Sequence, residues 1–175
     1  MGRNPFKRSV DVPAEVLSKV SLDQGEKVLA GTHAGEDIWL LGTREALHVV
    51  AAAPVETRIP WEQIERVDWN RDEDRLLISE VGEFGRVRPQ HEFAVSEPGL
   101  LLELIRERVT ASVVLQRRVF TDGSRGLLVI GRRPPARDGE VFWSYEFDAG
   151  VDPEDPQVMA AAEAGLHAAQ EELGL

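Results

Sequence analysis

The sequence predicts an α+β fold that is mostly antiparallel β-sheet, and three observations support this class. Apolar runs of strand length recur between residues 27 and 147. The links between these runs are short and polar, as in hairpin turns. Two longer segments, 96–110 and 156–173, space their apolar residues at helical intervals instead. Each of the two follows a group of strands, so we expect two successive units in which strands precede a helix.

The N-terminal part, residues 1–25, is predicted to be an arm that carries one short helix at 11–20. Asp11 can cap this helix, and Pro13 suits its first turn. Hairpin-linked strands follow the arm and form an antiparallel meander. These strands are predicted at 27–32, 37–42 and 46–51.

The next segment, residues 58–69, shifts the phase of its apolar residues halfway along. Such a shift indicates a β-bulge or one turn of helix that enters a strand. Two paired strands are predicted after it, at 75–81 and 85–95. Pro89 lacks the N–H that a strand ladder needs, so the second of these strands is predicted to lie at an edge or a bulge.

The helix at 96–110 is predicted to begin with Ser96 as its N-cap and Pro98 in its first turn. Its apolar residues form one stripe, which we expect to cover the preceding strands. The stripe consists of Leu101, Leu104, Ile105 and Val109.

The remaining residues, 111–175, are predicted to form a small β-β-β-α unit. The polar run 121–124 is a strong hairpin signal between its first two strands. Its helix carries small residues on the apolar side, which predicts that the helix lies close to the sheet. The three strands are predicted at 113–120, 126–131 and 140–147.

The chain is acidic, with a net charge of −11, but the charge is uneven. Residues 111–137 hold six arginines against one acid, whereas residues 138–175 hold ten acids and no lysine or arginine. The simplest interpretation is that the two blocks neutralise each other within one fold. The alternative is an anion-binding patch, for which Arg117, Arg132 and Arg133 are the candidates. Nucleic-acid binding is disfavoured, because acidic surface repels phosphates.

Residues 59–69, Ile-Pro-Trp-Glu-Gln-Ile-Glu-Arg-Val-Asp-Trp, are followed by the mainly apolar run 74–78. Together with the strand-then-helix order of residues 26–110, this phrase resembles bacterial pleckstrin-homology-like and GRAM-like domains. The resemblance implies that residues 26–110 form a strongly bent β-barrel capped by a C-terminal helix. It leaves residues 111–175 unassigned.

The lipid-binding role of that family does not carry over, because the first hairpin loop, 32–37, is acidic apart from His33.

The chain has no cysteine, which excludes disulfides and thiolate chemistry. The histidines, acids and glycines lack the spacing of metal-binding helices, calcium loops and phosphate loops. We therefore expect no catalytic residue, no metal site and no cofactor. Without an apolar run of membrane-spanning length or a secretory signal, the expected location is the bacterial cytoplasm.

Two functions stay open from the residues alone. The first is a non-catalytic interaction module for a protein or peptide, with Trp61 and Trp69 as contact residues if they are exposed. In this hypothesis the C-terminal unit packs on the first unit or mediates self-association as a homodimer. The second is a protein that binds a small anionic ligand, or an enzyme, with a pocket between the two halves. Arg117 or Arg132 would face that pocket.

Overall fold

The computed structural model describes residues 12–51, 56–82 and 88–175. Within these ranges the fold is α+β with mostly antiparallel sheet, which confirms the predicted class. The helices are α1 (Ala14–Leu17), α2 (Gly99–Ser112) and α3 (Pro156–Glu172). The strands are β1 (Ala30–His33), β2 (Trp39–Gly42), β3 (Ala46–Val50), β4 (Glu56–Pro60), β5 (Ile64–Asn70), β6 (Arg75–Glu80), β7 (Gln90–Ala94), β8 (Val113–Asp122), β9 (Arg125–Arg132) and β10 (Phe142–Phe147).

The strands form three sheets, in the orders β1-β2-β3-β4, β5-β6-β7 and β10-β9-β8. Every strand pair is antiparallel, and among the described residues no sheet closes into a barrel. The meander predicted for residues 27–51 is confirmed. Strand β4 was not predicted, because Ile59 is its only buried residue and the strand therefore has no apolar alternation.

The phase shift predicted for residues 58–69 has two structural causes. One turn of 3₁₀ helix, Trp61–Gln63, leads into β5, and a bulge follows between Ile64 and Arg66. The edge position predicted for the strand near Pro89 is also confirmed, since β7 pairs with β6 alone among the described strands. Residues 85–87 of that predicted strand lie outside the described residues.

The first core lies between the first two sheets and α2. Leu101 and Ile105 of α2 have no exposed surface, and they pack with buried residues of both sheets. Each such side chain contributes about 1.5–3 kcal/mol through burial. A Cβ built on Gly42 would lie 2.6 Å from Cδ2 of Leu104, so α2 rests on the bare backbone of β2. We call β1–β7 and α2 the first unit.

The predicted start of α2 at Ser96 is wrong. The helix begins at Gly99, and its N-cap is Pro98, without a side-chain hydrogen bond. Thr32 Oγ1 donates a hydrogen bond of 2.9 Å to the carbonyl oxygen of Glu97, which holds the residues before α2 in a non-helical conformation. The first helix is likewise shorter than the predicted span of 11–20, because Ser18 Oγ bonds back to the Glu15 carbonyl and competes with helix propagation. Asp11, the predicted cap, lies outside the described residues.

The second unit consists of β8–β10 and α3. Asp155 caps α3 by accepting a hydrogen bond of 2.8 Å from the Gln157 N–H. The predicted inner stripe is confirmed, and its small residues bring the helix onto the sheet. A Cβ on Gly165 would lie 2.5 Å from Cγ2 of Val119, so only glycine allows this approach. The stripe residues buried in α3 are Val158, Ala162, Gly165 and Ala169.

The two units are joined without a loop, because α2 ends at Ser112 and β8 begins at Val113. The predicted boundary at residue 110 therefore falls in the last turn of α2. Further contacts join the units, including an ion pair of 3.4 Å between Arg137 and Glu45. Among the described residues, no helix has the length and apolar character needed to cross a bilayer.

Candidate ligand-binding cleft

A cleft lies where the two units meet, between the C-terminal turn of α2 and the start of β8. Its volume is about 490 Å³, and it is open to solvent. Most of the side chains around it are apolar, which suits the body of an organic ligand. We call it the Arg132 cleft, and its lining residues are Val109, Thr110, Val113, Val114, Leu115, Gln116 and Arg132.

Arg132 supplies the charge of this cleft. Its residue surface is only 5% exposed, which is rare for an arginine. Its Nη1 donates hydrogen bonds to the Val109 carbonyl, at 3.4 Å, and to Ser112 Oγ, at 3.2 Å. Its Nε is buried and has no hydrogen-bond acceptor among the described residues. A guanidinium that lines an open cleft and is not fully hydrogen-bonded is suited to binding an oxygen acceptor.

Two carboxylates moderate the positive charge of Arg132. Burial lowers the pKa of Arg132, while the nearby Glu65 and Glu146 favour its charged form. Burial also raises the pKa of Glu65 above its usual range, although Arg88 forms an ion pair with it and opposes the shift. Arginine stays protonated at any ordinary pH, so the site keeps one buried cation with acids close by.

The local sequence explains why Arg132 ends up at this position. It is the last residue of β9 and pairs with Val113, where α2 turns directly into β8. A bulge between Val113 and Leu115 disturbs the start of the ladder. The side chain thus reaches the end of α2, where its positive charge favourably meets the negative end of the helix dipole.

The other predicted anion-binding residues lie elsewhere. Arg117 forms an ion pair of 3.1 Å with Glu172 at the end of α3, away from the cleft. Arg133 is exposed, and its backbone N–H donates to the Ser112 carbonyl at 2.9 Å. The structure therefore does not bring Arg117, Arg132 and Arg133 together as one patch.

Several arginines of the basic block instead pair with acids. Arg118 binds Asp148, and the pKa values of both shift in favour of their charged forms, chiefly through that hydrogen bond. Arg117 binds Glu172, and Arg132 lies near Glu146. Three acids of the C-terminal block thus face three arginines of the basic block, in agreement with mutual neutralisation.

The tryptophans proposed as partner contacts lie in or against the first core. Trp61 has no exposed surface, and its Nε1 donates to the Thr43 carbonyl at 3.2 Å. Trp69 is half-buried, donates to the Val95 carbonyl at 3.0 Å and has the Arg71 guanidinium 5.7 Å from its ring centre. In this conformation Trp61 offers nothing to a partner, and Trp69 offers one partly covered ring.

Apart from Val109, which was predicted as part of the apolar stripe of α2, the remaining lining residues of the cleft were not singled out from the sequence. Together with Val109 they lie at 109–110 and 113–116, on both sides of the junction between α2 and β8. The available signal was the direct change from helical spacing to strand alternation, with no turn residue between them. A cleft at such a junction depends on how the helix and the strand diverge, which the apolar pattern does not specify.

No group of three or more His, Asp or Glu side chains that could hold a metal ion occurs in the described part of the chain. In comparisons with known proteins, no family model, curated protein or solved structure matches this chain.

Proposed function

We propose that this protein is a non-catalytic binding module whose Arg132 cleft holds the carboxylate of a partly apolar ligand. The observation that carries the proposal is the buried guanidinium of Arg132, which lines an open and mainly apolar cleft and whose Nε has no acceptor among the described residues. A buried polar group without a partner costs about 1–3 kcal/mol. A ligand oxygen that enters the cleft and reaches the Arg132 guanidinium would offset part of that cost.

A singly charged carboxylate fits the electrostatics better than a phosphate. Glu65 and Glu146 lie near Arg132 and reduce the positive potential that an anion meets. A dianion would be repelled by both acids and attracted by one guanidinium. A monoanion can instead make a short, charge-assisted hydrogen bond with less repulsion.

The apolar walls indicate that the ligand carries an alkyl or similar group beside its carboxylate. Val113 and Val114 are half-buried around the cleft, so each retains surface that a ligand can cover. Removing apolar surface from water contributes about 25 cal/mol per Å².

Of the described lining residues, Thr110 carries the only hydroxyl and no histidine or carboxylate accompanies it, so the cleft itself lacks a nucleophile-and-base pair.

A direct test compares hexanoate, hexanol and hexyl phosphate by chemical-shift titration of the ¹⁵N-labelled protein. Hexanoate is expected to shift the amides of residues 109–116 and to bind at least 5-fold more tightly than the other two. Equal affinity for hexanoate and hexanol would contradict a carboxylate site. Tighter binding of hexyl phosphate would contradict the choice of a monoanion.

Two protein variants and one control sharpen this test. Arg132→Met removes the charge, and Val114→Glu places a repelling carboxylate at the wall while keeping the hydrogen bonds of Arg132. Both are expected to weaken hexanoate binding at least 5-fold. Arg133→Met changes an exposed neighbour and is expected to leave binding unchanged. If Val114→Glu binds hexanoate as the wild type does while its spectrum stays dispersed, the cleft is not the site.

We also propose that residues 26–110 have a pleckstrin-homology-like arrangement. Support comes from the order of a four-stranded meander, a three-stranded meander and one helix. The two meanders share a single core with α2. A bent, open barrel plugged by its last helix would have this order. On this proposal the first unit is a scaffold, and the binding cleft lies beside the C-terminal end of its helix α2.

A further inference from the structure

One edge of β8 runs along the Arg132 cleft. In the sheet order β10-β9-β8 this strand is terminal among the described strands, and four consecutive residues of it, 113–116, line the cleft. Beyond the bulge, Leu115 and Gln116 point to opposite faces of the strand, and both line the cleft, so the strand edge borders it. Edge strands present unpaired backbone donors and acceptors, which are a template for another strand.

The register shows which backbone groups of β8 point outward. The Asp148 N–H donates to the Gly126 carbonyl, so even-numbered residues of β9 bond towards β10. Odd-numbered residues of β9 therefore bond towards β8, and the Arg133 N–H, which donates to the Ser112 carbonyl, agrees with this alternation. Their partners in β8 include Arg117, which pairs with Val129. The residues between these partners, Gln116, Arg118 and Phe120, thus turn their N–H and C=O groups away from the sheet.

The two ends of this edge differ in chemistry. At its start lie Arg132 and the apolar walls of the cleft. Near its other end, Phe120 is 64% exposed, the second largest exposed fraction among the large apolar residues of the described chain. An exposed aromatic ring on an open strand is a favourable contact for a partner side chain.

We infer that the ligand is the free C-terminal end of a peptide, which adds to β8 as an antiparallel strand. This inference rests on the proposed carboxylate site. The terminal carboxylate binds Arg132, the last side chain, an apolar one, enters the cleft, and the preceding backbone pairs with Gln116, Arg118 and Phe120. An antiparallel direction follows because the carboxylate must lie at the start of β8. Main-chain pairing then gives affinity, and the carboxylate and pocket give specificity.

A second copy of the chain is a less suitable occupant of this edge. Symmetric pairing of two β8 strands about their centre would place the Arg117-Arg118 pairs of the two copies opposite each other. Like charges directly across a strand pair are destabilising, and Glu172 and Asp148, which pair with these arginines, offset only part of the repulsion. A peptide carries no such constraint and brings the carboxylate that Arg132 lacks.

The test uses the full chain and fluorescein-labelled hexapeptides, measured by fluorescence anisotropy. The reference peptide alternates threonine and valine and ends in valine with a free carboxylate. One comparison peptide has an amidated C-terminus. Two others are N-methylated on alternate residues, one on the odd and one on the even positions. Gel filtration at the same concentrations reports any dimer.

We expect amidation to weaken binding at least 10-fold and Arg132→Met to remove the difference between acid and amide. Only one of the two methylated peptides is expected to lose at least 10-fold, because only alternate N–H groups face β8. Equal losses for both methylated peptides would overturn strand addition. If hexanoate binds through Arg132 but the peptide binds no more tightly, the peptide inference fails and the proposed function stands. If neither binds, both fail, and a dimer that the peptide cannot dissociate would assign the edge to a second copy instead.

Discussion

In the first unit, two sheets and α2 contribute to one core, whereas in the second unit α3 packs on a single sheet. The first core contains side chains with no exposed surface from sheets and helix alike, such as Ile64, Ile78 and Ile105. In the second core, Trp143 and Tyr145 are only partly buried. The second unit therefore leaves part of its apolar side chains uncovered, and hydrogen bonds from Arg132 and Arg133 to the end of α2 contribute to its stability.

The largest expected effect contrasts one leucine from each core. Leu101→Ala is expected to lower the free energy of unfolding by about 3–4 kcal/mol, since its surroundings cannot collapse on the cavity. Leu115→Ala, whose residue is 9% exposed, is expected to cost about 2 kcal/mol, because solvent and neighbours can fill the space. Urea denaturation followed by circular dichroism measures both. Equal costs would show that the second core is as tightly closed as the first.

The next effect concerns the close approach of α3. Gly165→Val is expected to cost about 2–3 kcal/mol, because the new side chain collides with Val119 and forces the helix away from the sheet. The matched control, Ala164→Val, lies on the exposed side of the same helix and is expected to cost only about 0.5 kcal/mol of helix propensity. Thermal unfolding monitored by circular dichroism separates the two. A similar loss in both variants would indicate that α3 can shift without penalty.

A smaller effect tests the outer face of the first sheet, which the N-terminal segment contacts. Burial raises the pKa of Glu56, but hydrogen bonds from His48 and the Ser21 backbone outweigh it and hold that pKa below its usual range. A lowered pKa in the folded state means that ionised Glu56 stabilises the fold above about pH 4.5, the ordinary value, and that this contribution disappears as the pH falls through the lowered pKa.

We therefore expect Glu56→Gln to cost about 1.5 kcal/mol at pH 7, and the difference from the wild type to shrink at pH 3.5. Urea denaturation at the two pH values measures it. The control Glu36→Gln, in an exposed turn, is expected to change stability little at either pH. A constant difference between pH 7 and pH 3.5 would show that the charge of Glu56 does not support this contact.

The smallest effect compares the starts of the two long helices. Asp155→Ala removes the side-chain cap of α3 and is expected to cost about 1 kcal/mol. Ser96→Ala is expected to change the stability by no more than about 0.3 kcal/mol, since Ser96 does not cap α2. Differential scanning calorimetry can resolve the pair. A cost for Ser96→Ala equal to that of Asp155→Ala would place a cap at Ser96 after all.

The sequence predicted elements well where periodicity and turn chemistry agreed. The apolar stripe of α3 and the hairpin turn at 121–124 are examples, because each is a local signal. Strand β4 was missed since its outward residues are polar and its pairing with β3 is decided by the neighbouring strand. The start of α2 was misplaced because a tertiary hydrogen bond from Thr32 fixes the residues before it.

The candidate site was only partly predictable. The sequence placed Arg132 among three arginines, and the charge of the block alone could not tell them apart. What distinguishes Arg132 is its position at the end of β9 beside the end of α2, which makes it buried while Arg133 is exposed. Burial of this kind depends on how distant elements pack. Trp61 illustrates the same limit, since an aromatic residue in a polar stretch is equally compatible with core and surface.

The direct passage from α2 into β8 has a mechanical consequence. One continuous stretch of backbone closes the interior of the first unit and forms the outer border of the second. A force or a bound strand that displaces the start of β8 therefore pulls on the last turn of the helix. We expect the chain to unfold in a single thermal transition. We also expect a ligand that binds at the junction to change the stability of both units.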